Sequence, residues 1–482
     1  MPDRYHIHTV AAPSRFRRIG KFGNVDWRED CSRCTNCVKP RCLYDVYRNE
    51  SAYNRDPMTP VETLDGCKAC LSCVQGCTKG LLHVSVNPEF LDMGDDYWDP
   101  AILLTTWNQA DNGRIPVSGA GYRGRFHGPG FDSIWTDMSE IVRPTRDGIH
   151  GREYISTSVD IGPKPLRLKF TPDGGMLTPP LRLLEIQLPA ILDVPAWQAQ
   201  GARLAAARIA AAKELKTLAV VRAGDAVQAL PKQLPFLTPV VGKEDIANSQ
   251  DILESVRMAQ LQDGPDVAAL AARLHSINQQ LTVCVRLPLS PTAADRIMEL
   301  NRSGLKVFQL CANQHGRERL SDGRPGRHIK DALREVHGRL VKEGLRDEIT
   351  LIVSGGIALA EHMAKAIICG ADLVGVDTAL LVALGCRVCR DAHPRDAEGE
   401  ARCGSAELCP AETDSVDCAY AAQRMVNLMG AWHSQLIEVL GAMGIREVRR
   451  LRGEVGRAIF MEDIEKEAFG DLCRVPRSQV SA

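Results

Sequence analysis

The sequence predicts an α/β chain: a closed (β/α)8 barrel of the TIM type, preceded by a small cysteine-rich module and followed by a helical tail. Three observations predict it. β-rich runs alternate with helical patterns over about two hundred residues; the cysteines crowd into two groups; and residues 419–475 read as mostly helix.

The barrel elements come first. Runs of β character lie at 183–194, 217–223, 236–241, 255–258, 281–289, 306–311, 348–356 and 372–378. Helical periodicity fills most of the gaps, most clearly at 196–216, 266–280, 292–304, 327–344 and 359–370. Eight strands in alternation with helices suit a barrel better than an open doubly wound sheet, since no G-x-G-x-x-G opens a helix after the first strand. Before the barrel, residues 96–180 are rich in Gly, Pro and Thr with weak periodicity, and read as an ordered connector with turns. After it, 419–475 carries an amphipathic Met/Leu stripe of the kind that packs into a core. The expected division is 1–95, 96–180, 181–385 and 386–482.

Composition narrows the function. With 59 Lys and Arg against 60 Asp and Glu, the net charge of −1 gives no broad pull toward nucleic acid or anionic membrane. No run is long and apolar enough to insert into a bilayer, and the first twenty residues lack a hydrophobic signal core, so a cytoplasmic protein is expected. Seventeen cysteines are the departure from the ordinary. Clustered cysteines in a large chain without a signal core bind metal more often than they pair as disulfides. Cys284, Cys311, Cys369 and Cys473 are scattered and read as small buried hydrophobes.

The first group contains Cys31-x2-Cys34-x2-Cys37-x4-Cys42 and Cys67-x2-Cys70-x2-Cys73-x3-Cys77. Three thiolates two residues apart wrap three corners of an iron–sulfur cubane, and the fourth comes from a distance. Structural zinc uses paired rather than triple C-x2-C units. The reading is a ferredoxin-like domain holding two [4Fe–4S] clusters. As in two-cluster ferredoxins, Cys31, Cys34, Cys37 and Cys77 would hold one, and Cys67, Cys70, Cys73 and Cys42 the other. The second group, Cys386-x2-Cys389-x13-Cys403-x5-Cys409 before Pro410, follows the last strand directly and suggests a third cluster, with zinc or free thiols as the alternative.

At SGGIALAEHMAKAIICGADLVGVDTALLVALGC (354–386) and GLRDEITL (344–351) the sequence resembles the end of the synthase barrel of glutamate synthases. PVSGAGYRGRFHGPGFDSIWTDMSEIVRPTRDGIHGREYISTSVDIG (116–162) resembles the segment before the barrel in the smaller, archaeal-type or ferredoxin-fused relatives. The resemblance implies FMN at the C-terminal mouth of the barrel beside a [3Fe–4S] or [4Fe–4S] cluster, and reduction of an imine derived from a 2-oxo acid. Gly355 and Gly356 after the seventh strand, Gly375 and Thr378 after the eighth, and Arg286 are the candidate cofactor-binding residues; backbone N–H groups at a Gly-Gly turn can approach a phosphate closely. No catalytic residue is assigned. Asp377 stands where the family has a phosphate-cup glycine, and RDAHPRDAEGEAR lengthens the spacing between Cys389 and Cys403. Residue 2 is Pro, not the nucleophilic cysteine of a glutamine amidotransferase domain, so ammonia is expected from solution or a partner. The expected activity is that of an oxidoreductase acting on CH–NH2 donors. Electrons would arrive from a ferredoxin or another redox partner within a larger complex. The alternative is an electron-relay or scaffold subunit with a degenerate flavin site.

Overall fold

The computed structural model describes residues 5–15, 19, 22–27, 40–43, 70–115, 130–136, 155–164, 169–177, 183–195, 201–226, 231–320, 324, 326–388 and 417–470. Cys31, Cys34, Cys37, Cys67, Cys389, Cys403 and Cys409 lie outside these residues.

Eight parallel strands close into a barrel: β1 (Ala190–Leu192), β2 (Ala219–Arg222), β3 (Leu237–Val241), β4 (Met258–Gln262), β5 (Thr282–Pro288), β6 (Val307–Cys311), β7 (Thr350–Ser354) and β8 (Leu373–Val376). β8 pairs with β1, placing Val374 beside Ala190 and Val376 beside Leu192, and so completes the ring. The strands are short and almost wholly buried, as parallel strands covered on both faces must be.

Seven helices and a six-residue one position the mouth. They are α1 (Pro100–Asn112), α2 (Ala202–Glu214), α3 (Val267–Ile277), α4 (Ala293–Arg302), α5 (Ile329–Lys342), α6 (Ala360–Ile368), the short α7 (Thr378–Ala383) and α8 (Cys418–Ala442). α1 begins where Asp99 accepts the Ile102 N–H and Pro100 takes the first helical position, and it stops at Gly113 in the left-handed region. It buries Leu103, Thr106, Trp107 and Ala110. α8 packs against both α1 and α2. The Trp432 indole donates to Gln109 Oε1 at 3.1 Å.

Residues 5–15 form an extended strap across α8. Asn427 clamps Val10 from both sides, accepting its N–H at 3.3 Å and donating to its C=O at 2.8 Å. Arg424, fully buried, donates to Asp111 Oδ1 and the Ala12 carbonyl at 2.6 Å each, and its Nε donates to the Ala383 carbonyl at 2.5 Å. One guanidinium therefore joins strap, α1, α7 and α8.

Three features differ from the sequence expectation. The run at 183–194 divides: Leu184–Ile186 pairs antiparallel with Val159–Ile161, and β1 begins only after the bend at 187–189. The fourth strand lies at 258–262, not 255–258. Ser255 ends a short helix, and Gln260 inside the strand breaks its apolar appearance. The connector at 96–180 contains α1, whose polar Thr, Asn and Gln positions obscure its periodicity.

Candidate active site at the barrel mouth

Period-two alternation along β5 turns Arg286 into the barrel near its C-terminal end, with Gln309 beside it on β6 and Gln260 one inward position earlier on β4, beside Cys284. Asp193, one residue past β1, completes the ring from across the barrel. Arg286 Nη1 and Nη2 reach Asp193 Oδ1 and Oδ2 at 3.0 and 3.3 Å, and Nη1 donates to Gln260 Oε1 at 2.7 Å. Gln260 Nε2 donates to Gln309 Oε1 at 2.7 Å. Gln309 Nε2 donates to Asp193 Oδ2 at 2.5 Å and Ser354 Oγ at 2.9 Å. Asp193, Gln260 and Gln309 are at most 1% exposed. Burial alone would push the Arg286 pKa down; the Asp193 carboxylate, with help from Cys311, outweighs it and holds the guanidinium firmly charged.

Above this network lie the residues expected to hold phosphate. β7 and β8 run in register, with Ser354 beside Gly375. Gly355 and Gly356 lie two residues or fewer beyond that pair on β7, Asp377 and Thr378 two and three residues beyond it on β8. Gly355 and Gly356 have φ of +93° and +70°, which side-chain-bearing residues rarely adopt. Glycine is also required by packing: a Cβ on Gly355 would lie 2.6 Å from the Ala312 and Asn313 carbonyl oxygens, and one on Gly356 2.4 Å from Gly316 N. Their backbone is thus shaped by the loop after β6.

Asp377 is 7% exposed, and its carboxylate accepts the Thr378 N–H at 2.5 Å. Burial, then the neighbouring Asp193 charge, raises its pKa to about 7 against the opposing pull of the Thr378 N–H and Arg286. Arg286 pairs with Asp193 and forms no ion pair with Asp377 among the described residues. A cavity of about 10 Å3, the size of one water, lies between Asp193, Arg208, Asp377, Leu380 and Met425. These residues fit a flavin phosphate in backbone shape at Gly355 and Gly356, while the Arg286 cation at the inner mouth is already balanced by the Asp193 carboxylate. Asp377 is the one member of the set whose charge opposes a phosphate.

Residues 94–98, just after the cysteine-rich module, clasp this mouth. The Tyr97 hydroxyl donates to the Gly356 carbonyl, and the Trp98 indole donates to the Gln314 carbonyl at 2.8 Å. Asp95 Oδ2 lies 2.8 Å from His315 Nε2. Gly94 N donates to the Arg387 carbonyl at 2.9 Å, next to buried Cys386. Cys70, Cys73 and Cys77 sit on and around the short helix Ser72–Gln75. There the backbone N–H groups of Leu81 and Lys79 hold the Cys77 thiol below its ordinary pKa, which favours the thiolate form. The following strand, Leu82–Val86, pairs antiparallel with Phe22–Trp27.

Sequence reasoning singled out Arg286, Gly355, Gly356, Gly375 and Thr378, and the structure gathers all of them at the mouth. It missed Asp193, Gln260, Gln309 and Tyr97. The available signal was a lone polar residue inside each of two apolar runs, MAQLQ and VFQLC. It also missed a group of metal-ligand type behind the mouth. Asp132, Glu361 and His362 have ligand atoms within 4.8 Å of one another. Half-buried Lys365, donating to the Phe131 carbonyl at 2.7 Å, supplies the cation beside the two carboxylates. His362 Nδ1 accepts the Ala358 N–H at 3.2 Å, which leaves the ring proton on the nitrogen facing Asp132.

The structure is a closed parallel (β/α)8 barrel whose last strand leads through a short helix to Cys386. Residues 243–446 match the family model for the conserved region in glutamate synthase. The chain is 24% identical to the archaeal-type glutamate synthase [NADPH] of Dehalococcoides mccartyi, over 89% of this chain and 93% of that protein. It is 27% identical to the archaeal glutamate synthase [NADPH] of Methanocaldococcus jannaschii, over 77% and 84% respectively. The matched region and the relatives, which cover most of the chain, together support a glutamate synthase family member. Among the described residues, no helix is long and apolar enough to cross a membrane.

Proposed function

We propose that this chain is an iron–sulfur flavoprotein oxidoreductase of glutamate-synthase type, taking electrons through ferredoxin-type clusters and delivering them at the barrel mouth to an imine formed from a 2-oxo acid. The observation that carries the reading is the clasp. Residues 94–98, at the end of the cysteine-rich module, touch both the Gly355–Gly356 turn and the backbone beside Cys386, and so support a path from that module to the mouth and to the third cysteine group. FMN, when bound, supplies the two-electron chemistry that one-electron clusters lack. The chain's own residues do the rest. Gly355 and Gly356 offer bare backbone, Gly375 keeps the floor low, Thr378 adds a hydroxyl, and Arg286 holds a fixed positive charge at the inner mouth. The redox partner is proposed to be a ferredoxin or a subunit of a larger complex; the relatives named above carry NADPH in their names.

Anaerobic purification followed by flavin extraction and iron analysis tests this. Flavin near one per chain and about eleven or twelve irons are expected, from two four-iron clusters and a third of three or four irons. A Cys403→Ser, Cys409→Ser double variant should lose about one cluster's iron, with Cys418 added if the result is intermediate. Intact clusters with no flavin bound or reconstituted would favour the electron-relay reading, for which the buried Asp377 carboxylate is the specific support.

A further inference from the structure

Asp377 lies in the cup between the ends of β7 and β8, within a buried setting that already contains the Asp193 carboxylate. Charged and titratable groups approach it from four elements. Asp193 comes from the end of β1, Arg286 from β5, Arg208 from α2 and Tyr97 from the clasp. Arg286 is turned to Asp193 through both terminal nitrogens, and Arg208 Nη1 donates to the Asp193 carbonyl at 3.2 Å. Neither cation forms a salt bridge with Asp377 among the described residues. Meanwhile the Asp377 carboxylate takes the Thr378 N–H, a donor at the rim of the same cup. A phosphate arriving there meets a like charge in a poorly screened site, and competes with that charge for a backbone donor.

We propose that Asp377 determines which ligands the mouth accepts: as a carboxylate it excludes phosphate, and a phosphate-bearing ligand enters only as Asp377 takes up a proton. This rests on the flavin reading and adds to it a condition on binding. Proton uptake is accessible near neutrality because burial and Asp193 have already brought the carboxyl to about 7. The sign follows. Below that value Asp377 is neutral and the cup is open to phosphate; above it, each further pH unit makes the neutral form tenfold rarer.

The test is equilibrium dialysis of FMN and of riboflavin against the full, cluster-loaded chain from pH 7.5 to 9.5, where the FMN phosphate stays dianionic. For the wild type, the FMN Kd should rise roughly tenfold per pH unit, while the riboflavin Kd stays level. Asp377→Asn keeps the N–H acceptor that caps Thr378 and removes the charge. It should bind FMN with no pH slope and, at pH 9, about a hundredfold more tightly than the wild type. Wild-type FMN binding that is level across this range, or equal in the variant, overturns the inference and leaves the flavin reading standing. If neither protein binds FMN or riboflavin at any pH while iron content is intact, the flavin reading falls and this inference with it. FMN bound by the variant alone supports this inference, while the wild type's failure to bind it favours the electron-relay reading.

Discussion

At the scale of single residues, the Asp193–Arg286 pair dominates the barrel interior. Both partners are buried, and Gln260, Gln309 and Ser354 complete their hydrogen bonds, so the pair is stable only as a set. Removing one partner leaves an uncompensated charge. Asp193→Ala is expected to cost about 3–5 kcal/mol and to lower the thermal midpoint by several degrees. An Asp193→Leu, Arg286→Met double variant should recover much of that loss, because it buries no lone ion. A double variant less stable than Asp193→Ala would show that the interior depends on polarity itself. Cys284, buried behind Arg286, is raised to a pKa above the ordinary thiol range by burial and stays neutral, in keeping with its reading as a small hydrophobe.

At the scale of elements, the clasp is the unit with the most direct functional reach. The Gly356 carbonyl receives the Tyr97 hydroxyl, and the Gln314 carbonyl receives the Trp98 indole, so the loops after β6 and β7 are held by the same short segment. Tyr97→Phe leaves a buried carbonyl unpartnered, at a cost of about 1–3 kcal/mol. Amide hydrogen exchange at Gly316 and Gly356 should accelerate roughly five- to a hundredfold, while the amides of β4 on the other side of the barrel are unchanged. Uniform acceleration throughout the barrel would mean that Tyr97 supports the whole fold and not these loops. Elements are also where the sequence was easiest and hardest to read. β5 through β8 and α2 through α6 were legible because apolar runs and helical periodicity alternate cleanly there. β4 slipped by a few residues because Gln260, which belongs to the interior network, interrupts its apolar run. α1 was hidden by its Thr-Thr and Asn-Gln pairs, and the hairpin strand Leu184–Ile186 merged with β1 because no glycine separates them. At the mouth, the glycines and Arg286 were legible as residue types. Their partners were not, since Asp193 and Gln309 lie 116 residues apart in the chain and meet only when the barrel closes.

At the scale of the whole molecule, buried histidines set the response to acid. His328 has its pKa lowered to about 3 and His433 to about 4, each first by burial and then by neighbouring charges that include another histidine. Both are 7% exposed, and His433 pairs with Thr157 Oγ1 at 3.1 Å. In the folded chain they stay neutral, while the unfolded chain protonates them near 6.5. As pH falls from about 6.5 toward 4 the unfolded state binds more protons, so stability declines, by up to about 1.4 kcal/mol per pH unit for each group. The thermal midpoint should therefore fall between pH 6.5 and 5, and His433→Gln, which keeps a donor for Thr157, should flatten part of that fall. An unchanged slope in the variant would place the acid sensitivity elsewhere.

The strap at residues 5–15 has a consequence for biosynthesis. Val10 is held by Asn427, 417 positions further along, and Pro13 accepts a hydrogen bond from Tyr420. When the strap leaves the ribosome, its docking surface has yet to be translated. At about 5–20 residues per second, the delay is roughly 20 to 80 seconds. Ile7 and Ala12, buried in the finished molecule, stay without their α8 partners throughout that time. Residues 5–15 are thus made 417 positions before the helix that seats them, and they settle only once that helix exists.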